Sequence, residues 1–430
     1  MERIPTMFKI VRSDIKSLPK PALLMIVAMS LYTFGWGFAD PFFSLYLDTF
    51  ASDYALVGLF QTILNVVAVV LLFPVGAILD RANHYPLLIG AKIGYVFVVL
   101  LYFCAGLFNS LPLLIIALIL NGFLMPFVWA GTMATLQDYA NQKNASLIFG
   151  LYTTSYNFLW IIGLAFSLVL VAHLPIYYIF LPIVIFLIAS AWCHQGQQDK
   201  HAESLKTTLK DVVIKDKLFL RMLQEMKYFN IEMWLMYLFS FLMVTVSILT
   251  FTFLPLYATD KGFSIPQVGL LVLIITLPSI FSFVVVEIAN RYERLRNIIF
   301  GALISAIAAL MFFILKPTGI EIFLCGFLLS LGYAIALPSL NAVITVLTPK
   351  QYTGTGSALI NIAWFASVMI FAPIIGFLLD RFGWHFTYAI MGVFYFLLTV
   401  MMMVIRFHFK KRNLLYHANH PHSSHHPYIL

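Results

Sequence analysis

The feature that most constrains this chain is a series of long segments without a single Asp, Glu, Lys or Arg. Two of them, Ile93–Gln137 and Asn144–Gln198, are each long enough to cross a membrane twice. A membrane-spanning helix needs about 20 predominantly apolar residues, and only helices or closed barrels satisfy their backbone groups in lipid. The alternating segments of ~10 residues that are typical of a barrel are absent from the sequence. The sequence therefore predicts an all-α membrane protein.

Composition excludes the other common classes of protein. Charged residues make up 10% of the 430 residues and hydrophobic residues 62%, whereas a soluble domain carries roughly 25% charged residues. Three cysteines are too few for a disulfide scaffold. With 41 Phe and 21 Tyr, the chain is too apolar to be disordered.

Polar and proline-containing breaks divide the longest apolar runs. One break lies at residues 109–112 and another at 173–175, each with a proline that favours the start of a new helix. Twelve spans are predicted: 22–47, 55–79, 86–108, 111–137, 147–171, 174–193, 232–257, 265–288, 296–316, 319–347, 353–379 and 383–407.

Basic residues orient these spans. If the N-terminus is cytoplasmic, the inner segments hold 22 of the 26 Lys and Arg residues and the outer loops hold three. The positive-inside rule then predicts a multi-pass protein of the cell (inner or plasma) membrane with both termini in the cytoplasm. The net charge of +8 reflects this topology and contact with anionic membrane lipids, so no nucleic acid partner is expected.

The sequence contains an internal repeat with an offset of 211 residues. Leu45-Tyr46 reappears as Leu256-Tyr257, and Val57-Gly58-Leu59 reappears as Val268-Gly269-Leu270. Six spans per repeat is an even number, so both halves enter the membrane in the same direction. This predicts two parallel six-helix repeats around a central cavity near the membrane midplane.

The repeat also predicts the domain organisation. Residues 1–193 form the N-terminal six-helix half and residues 231–407 the C-terminal half, joined by a cytoplasmic linker over residues 194–230. Apolar residues at helical spacing in the linker favour an amphipathic helix on the inner leaflet, and a solvated linker is the alternative. Residues 408–430 form a cytoplasmic His-rich tail.

The loop after the second span carries a known motif. It reads Gly76-Ala77-Ile78-Leu79-Asp80-Arg81-Ala82-Asn83-His84-Tyr85, and it resembles the signature of the major facilitator superfamily at Gly76, Asp80 and Arg81 but departs from it at Asn83, His84 and Tyr85. The resemblance, which covers residues 20–407, implies transport by alternating access.

The resemblance also implies an inner gate. In it, Asp80 caps a helix of the other half and Arg81 reaches Asp138 at the end of the fourth span. Gly76 precedes this pair, and Arg291 stands near the corresponding position of the second repeat. The alternative is a charged loop whose composition is set only by topology.

Ionisable groups inside a membrane are costly and are therefore candidates for function. Asp40 is the only carboxylate deep in the first half, and we predict that it couples transport to protons. The alternative is that Asp40 and Pro41 restart a broken helix, with Asp40 as its N-cap. Lys92, near the inner end of the third span, is expected to extend towards the interface.

Aromatic and amide residues are predicted to line the cavity, because an amide facing lipid would be costly. The alternative for each Asn is a hydrogen bond that joins neighbouring helices. The candidates are Trp36, Asn65, Asn121, Trp129, Tyr156, Asn157, Trp160, Tyr333, Asn341, Asn361 and Trp364.

Together these features predict a secondary transporter that exports a small amphipathic organic molecule in exchange for protons. The same-class alternative is uptake of a neutral metabolite such as a sugar, and the alternative from another class is a membrane sensor or scaffold that transports nothing. No phosphate-binding loop, metalloprotease motif or hydrolase motif occurs, so we expect no enzyme, no cofactor and no metal. The partners are a small-molecule substrate, protons and lipids, and the chain is expected to be a monomer.

Overall fold

The computed structural model describes residues 18–79, 83–140, 145–195, 226–280, 293–348 and 353–411, which contain helices and no strand. Nine helices in these ranges are long and apolar enough to cross a membrane, and Ile176–Trp192 and Ile265–Ser279 are shorter apolar helices. The nine include Ala358–Lys410, which is broken at Gly383 and so holds two spans. The prediction of twelve membrane-spanning helices is confirmed.

The described residues form thirteen α-helices. In chain order they are α1 Lys20–Trp36, α2 Phe43–Asp48, α3 Tyr54–Leu79, α4 His84–Phe108, α5 Leu111–Tyr139, α6 Ala145–His173, α7 Phe180–Trp192, α8 Ile231–Ser247, α9 Leu254–Asp260, α10 Ile265–Ile280, α11 Arg294–Leu315, α12 Glu321–Leu347 and α13 Thr353–Lys411.

Local residue chemistry explains where these helices end. Asn109 closes α4 in the left-handed conformation, with a φ of 47°, and α5 then begins with a proline in its first turn; asparagine tolerates this conformation better than most residues. The Asn83 side chain caps the start of α4 by accepting from the Tyr85 amide. Gly383, with a φ of 74°, separates the two spans inside α13, and glycine adopts this conformation without steric cost.

The first span of each repeat departs from α-helical geometry at the same place. In the first repeat α1 ends at Trp36, and a single 3₁₀ turn, Asp40–Phe42, precedes α2. In the second repeat the π-helical segment Ile248–Phe253 separates α8 from α9. The repeat offset places that segment on residues 37–42 of the first repeat. The break predicted at Asp40-Pro41 is therefore present and has a counterpart in the second repeat, but the N-cap of α2 is Phe42 and not Asp40.

The described residues pack as two compact units. The first contains those of Met1–Pro41 and Val70–Leu218, and the second those of Phe42–Val69 and Phe219–Leu430. Helix α3 thus begins in the second unit and ends in the first. Large buried aromatic side chains fill both cores, including Tyr95 and Tyr102 in the first and Tyr257 and Tyr388 in the second. Most of the predicted linker helix and of the His-rich tail lies outside the described residues.

Candidate functional site

Two glycines allow α1 and α6 of the first unit to cross in close contact. A Cβ on Gly37 would lie 2.2 Å from the Trp160 carbonyl oxygen, and a Cβ on Gly163 would lie 2.3 Å from the Phe34 carbonyl oxygen. The Thr33 hydroxyl donates to the Tyr156 carbonyl oxygen at 3.2 Å in the same contact. Small residues at a membrane helix crossing let the backbones approach in this way. The crossing brings the end of α1 next to the Asn157–Trp160 face of α6.

Asp40 lies at this crossing and contacts one of the predicted cavity residues. Its Oδ2 accepts a hydrogen bond of 3.1 Å from the indole N–H of Trp160. The carboxylate also interacts electrostatically with Tyr32 and Tyr95. Asp40 is exposed at the surface of the first unit, whereas Trp36 and Ala39 beside it are buried. The structure therefore places the predicted coupling carboxylate against polar atoms of aromatic side chains.

Tyr32 connects the predicted aromatic residues into one cluster. Its ring centroid lies 6.3 Å from that of Trp36 and 6.5 Å from that of Trp129. Tyr95 packs edge-on against both Tyr32 and Trp36 with centroids 5.6 Å apart, and Trp129 contacts Tyr156 at 6.0 Å. The structure thus brings Trp36, Trp129 and Tyr156 together. The sequence analysis did not include Tyr32 and Tyr95 among the candidates. The four-residue spacing of Tyr32 and Trp36 places Tyr32 and Trp36 on one face of α1 and could have indicated Tyr32.

The asparagines of the first unit differ in what they contact. Asn121 is buried and bridges α5 to α4, because its Oδ1 accepts from the Tyr95 hydroxyl and its Nδ2 donates to the Tyr102 hydroxyl, each at 3.0 Å. This contact matches the alternative of an interhelical hydrogen bond. Asn157 donates to the Thr153 carbonyl of its own helix at 2.9 Å and is only half-buried.

The second unit contains the remaining cavity candidates. The Tyr333 side chain interacts with Trp364 and with Ser247, so two predicted residues meet there. Asn65 donates to the Gln61 carbonyl at 2.7 Å, and its buried Oδ1 has no partner within the described part of the chain. The same holds for the Oδ1 of Asn341, whereas Asn361 is exposed.

Lys92 was expected to extend towards the membrane interface, but it does not. It is fully buried, and its Nζ lies 2.7 Å from the Nε2 of His194, which is also buried. Burial and the neighbouring charge of Lys92 lower the pKa of the His194 imidazole. The hydrophobic pattern places His194 just beyond the sixth span and gives no indication of this contact, because the two residues are far apart in sequence.

The inner-gate candidates are only partly described. Asp80, Arg81 and Arg291 lie outside the described residues. Gly76 lies inside α3, where an added Cβ would meet nothing within 4 Å. Asp138, at the end of α5, has its Oδ2 3.6 Å from the Nδ1 of His84, and the Thr135 hydroxyl lies 3.2 Å from the same nitrogen. His84, one of the positions at which the motif departs from its pattern, is thus a neighbour of Asp138 that the sequence did not indicate.

The neighbourhood of Asp40 and Tyr32 in the first unit offers aromatic surface, a few hydrogen-bonding groups and the Asp40 carboxylate. Such a lining can stack on an apolar ring and bind a polar group at one end of a small molecule. Among the described residues no cluster of His, Cys, Asp or Glu is arranged to hold a metal ion.

Comparisons with known proteins agree with this architecture. The family model described as Major Facilitator Superfamily matches residues 25–367 and 280–419. The xylose transporter XylE from E. coli, in an inward-open conformation, aligns with a TM-score of 0.70 over 90% of this chain and 96% of its own, at 14% sequence identity. The nucleoside transporter NupG aligns with a TM-score of 0.66 over 90% and 98%, also at 14% identity. At such identity the structural likeness shows the fold.

Curated relatives match over shorter segments. The probable galactarate/D-glucarate transporter GudP of Bacillus subtilis is 34% identical over 95 residues, 22% of this chain and 21% of that protein. The probable galactarate/D-glucarate transporter GarP of Escherichia coli K12 is 26% identical over 149 residues, 34% of this chain and 33% of that protein. The chain thus spans about a fifth to a third of the length of the curated relatives that it matches.

Proposed function

The chain belongs to the major facilitator superfamily, and we propose that within this family it is a proton-coupled transporter that exports a small amphipathic organic molecule. It is a transporter and not an enzyme. The observation that carries the finer proposal is the hydrogen bond from Trp160 to Asp40. It joins the one carboxylate of the site to the aromatic residues predicted to contact the substrate.

The proposed coupling follows from the surroundings of Asp40. A carboxylate in a membrane segment that passes between dry and wet surroundings binds and releases a proton. A substrate that stacks on Trp160 would alter the hydrogen bond of the indole N–H to the carboxylate. Substrate and proton would then influence each other's binding through a single shared contact, which is what exchange requires.

The lining of the first unit supports an amphipathic substrate. Trp36, Trp129 and Tyr156 belong to one aromatic cluster. Lys92, a basic residue of α4, is buried against His194. Aromatic rings bind flat apolar surfaces, and the Asp40 carboxylate would accept a hydrogen bond or pair with a cationic group.

Flux into proteoliposomes tests this proposal. Purified protein is reconstituted and a panel of fluorescent amphipathic amines and neutral sugars is offered with and without a pH gradient. We expect gradient-dependent movement of an amphipathic compound towards the acidic compartment. Movement of no compound on the panel would favour the sensor or scaffold alternative, and movement that ignores the gradient would contradict proton coupling.

The names of the relatives favour a second candidate, which is transport of a sugar acid. GudP and GarP are both described as probable galactarate/D-glucarate transporters. A dianionic sugar acid needs cationic partners, which would have to come from outside the aromatic cluster described above. Competition in the flux measurement separates the candidates, because galactarate inhibits uptake only if it occupies the site.

We also propose the remaining features predicted from the sequence. Asp80, Arg81 and Asp138 close the inner side, and His84 contributes through its contact with Asp138. Both termini face the cytoplasm of a cell membrane, and the chain acts as a monomer. Cysteine labelling of the two termini in intact and permeabilised cells tests the orientation.

A further inference from the structure

The N-terminus of α3 is held by a carboxylate from a distant part of the chain. Asp380, in α13, accepts from the Tyr54 amide through Oδ1 at 2.9 Å and from the Ala55 amide through Oδ2 at 2.8 Å. A carboxylate that satisfies free amides at a helix N-terminus also interacts favourably with the helix dipole. Asp53 caps the same helix locally by accepting from the Leu56 amide at 2.8 Å. Helix α3 therefore has one local cap and one cap supplied by α13.

A second carboxylate binds side chains from the same two helices. Asp260, at the end of α9, accepts from the Tyr54 hydroxyl and, at 2.6 Å, from the Trp384 indole N–H. The rings of Tyr54 and Trp384 pack edge-on with centroids 4.9 Å apart. Three segments of the second unit thus meet at Tyr54.

The two helices are also in close backbone contact just below this network. A Cβ on Gly376 would lie 2.3 Å from the Tyr54 carbonyl oxygen, and a Cβ on Gly58 would lie 2.4 Å from the Ala372 carbonyl oxygen. The Thr62 hydroxyl donates to the Met369 carbonyl at 2.7 Å. The contact therefore extends along more than two turns of α3, all within the second unit.

We propose that Asp380, Asp260 and Tyr54 form a latch that holds the outer end of α3 against α13 and closes the substrate path on the outer side. This inference rests on the proposed function, and the outer side is the one predicted from the basic residues. Residues 42–69 belong to the first repeat by sequence but pack in the second unit. In this proposal the outer side opens when the segment leaves α13, so breaking the latch favours that separation.

Distance measurements between spin labels test the latch without substrate or gradient. Labels are attached at Leu59→Cys and Phe377→Cys, two exposed positions on α3 and α13, after the three native cysteines are replaced by alanine. In this background Asp380→Ala should raise the fraction of molecules with a longer label-to-label distance by about fivefold to tenfold. This factor corresponds to the free energy that a helix cap typically contributes.

Asp53→Ala is the matched control, because it removes a cap from the same helix without breaking a link to α13. It should leave the distance distribution unchanged. If Asp380→Ala does not fold, Asp380→Asn keeps one acceptor, loses the charge and should give an intermediate fraction of the longer distance.

An unchanged distribution in the Asp380 variants, or an equal change in Asp53→Ala, would overturn the latch. The measurement is independent of transport. A chain that moves no substrate yet shows the shift would retain the latch and lose the proposed function.

Discussion

The indole N–H of Trp160 donates a hydrogen bond to the Asp40 carboxylate across 3.1 Å, although 120 residues separate them in sequence. The close crossing at Gly37 and Gly163 makes this contact possible, because a Cβ at either glycine would push α1 and α6 apart. The Asp40 carboxylate therefore has a hydrogen-bond partner on α6 in addition to its place at the break after α1. Its position depends on the aromatic residue that we propose as a substrate contact.

Substitution of Asp40 and substitution of Trp160 should both impair the accumulation of substrate that a pH gradient drives. Asp40→Asn keeps the size and hydrogen-bonding ability of the side chain but cannot titrate, so we expect loss of gradient-driven accumulation while exchange at equal pH stays within about twofold. Trp160→Phe keeps a ring and removes the donor, and we expect accumulation to fall by about tenfold, since hydrogen bonds to charged groups contribute about 1.5–3 kcal/mol. Flux in proteoliposomes with and without a pH gradient measures both.

The double variant shows whether the two residues act through their shared bond. If they do, Asp40→Asn combined with Trp160→Phe should accumulate no less substrate than Asp40→Asn alone, because the group whose protonation the bond would influence is already absent. Full gradient-driven transport in Asp40→Asn would show that the protons use another path.

Asn121 should contribute to stability and not to substrate affinity. Asn121→Ala removes the side chain that bonds the buried hydroxyls of Tyr95 and Tyr102, and each lost hydrogen bond costs about 0.5–1.5 kcal/mol. Thermal denaturation of the purified protein should show a clear loss of stability. Asn157→Ala is the control, because Asn157 bonds only within the turn of its own helix among the contacts described, and we expect a change below about 0.5 kcal/mol.

Substrate titration of the same two variants separates packing from binding. If Asn121→Ala raises the dissociation constant severalfold and leaves the denaturation temperature unchanged, Asn121 contacts the substrate and does not mainly stabilise the fold.

His194 should make the protein less stable in acid. Burial beside Lys92 lowers the pKa of His194 below the value of about 6.5 that it has when unfolded. Between these two pKa values the unfolded state binds a proton that the folded state does not. The contribution of His194 to stability is therefore complete above pH 6.5 and is lost as the pH falls. Between pH 7.5 and pH 5 the denaturation temperature should therefore fall more steeply for the native chain than for His194→Gln.

His173 provides the control for this measurement, because it lies exposed at the end of α6. His173→Gln should keep the pH dependence of the native chain. Equal acid sensitivity in the native chain and in His194→Gln would mean that protonation elsewhere governs the loss.

Sequence patterns were sufficient to predict the helices because lipid restricts the length and the polarity of a membrane-spanning segment. The breaks at Asn109 and at His173 were predicted correctly, since asparagine and proline mark helix ends by local chemistry. The Asp40-Pro41 pair indicated a break by its local chemistry, whereas the π-helical segment Ile248–Phe253 was not predicted.

Contacts between distant helices could not be predicted in the same way. The cap on Tyr54 from Asp380 and the contact of Lys92 with His194 depend on which helices become neighbours and on their rotation about their axes. A hydrophobic pattern with apolar residues on all sides carries little information on rotation. The sequence therefore predicted aromatic candidates and Asp40 in the first unit, but it did not predict that Tyr32 and Tyr95 connect the aromatic residues.

Two glycines of α3 should respond in opposite ways to the same substitution. Gly58→Ala introduces a methyl group 2.4 Å from the Ala372 carbonyl oxygen, so α3 must shift away from α13 or distort, which typically costs about 1–3 kcal/mol. Gly76→Ala meets nothing within 4 Å and should stabilise the helix by roughly 0.5–1 kcal/mol, because alanine loses less backbone freedom than glycine on folding. Thermal denaturation of both variants measures the difference, and spin labels at positions 59 and 377 show whether Gly58→Ala also separates the helices. If Gly58→Ala were as stable as Gly76→Ala and left the label distance unchanged, the close packing of α3 on α13 would not be what holds the two helices together.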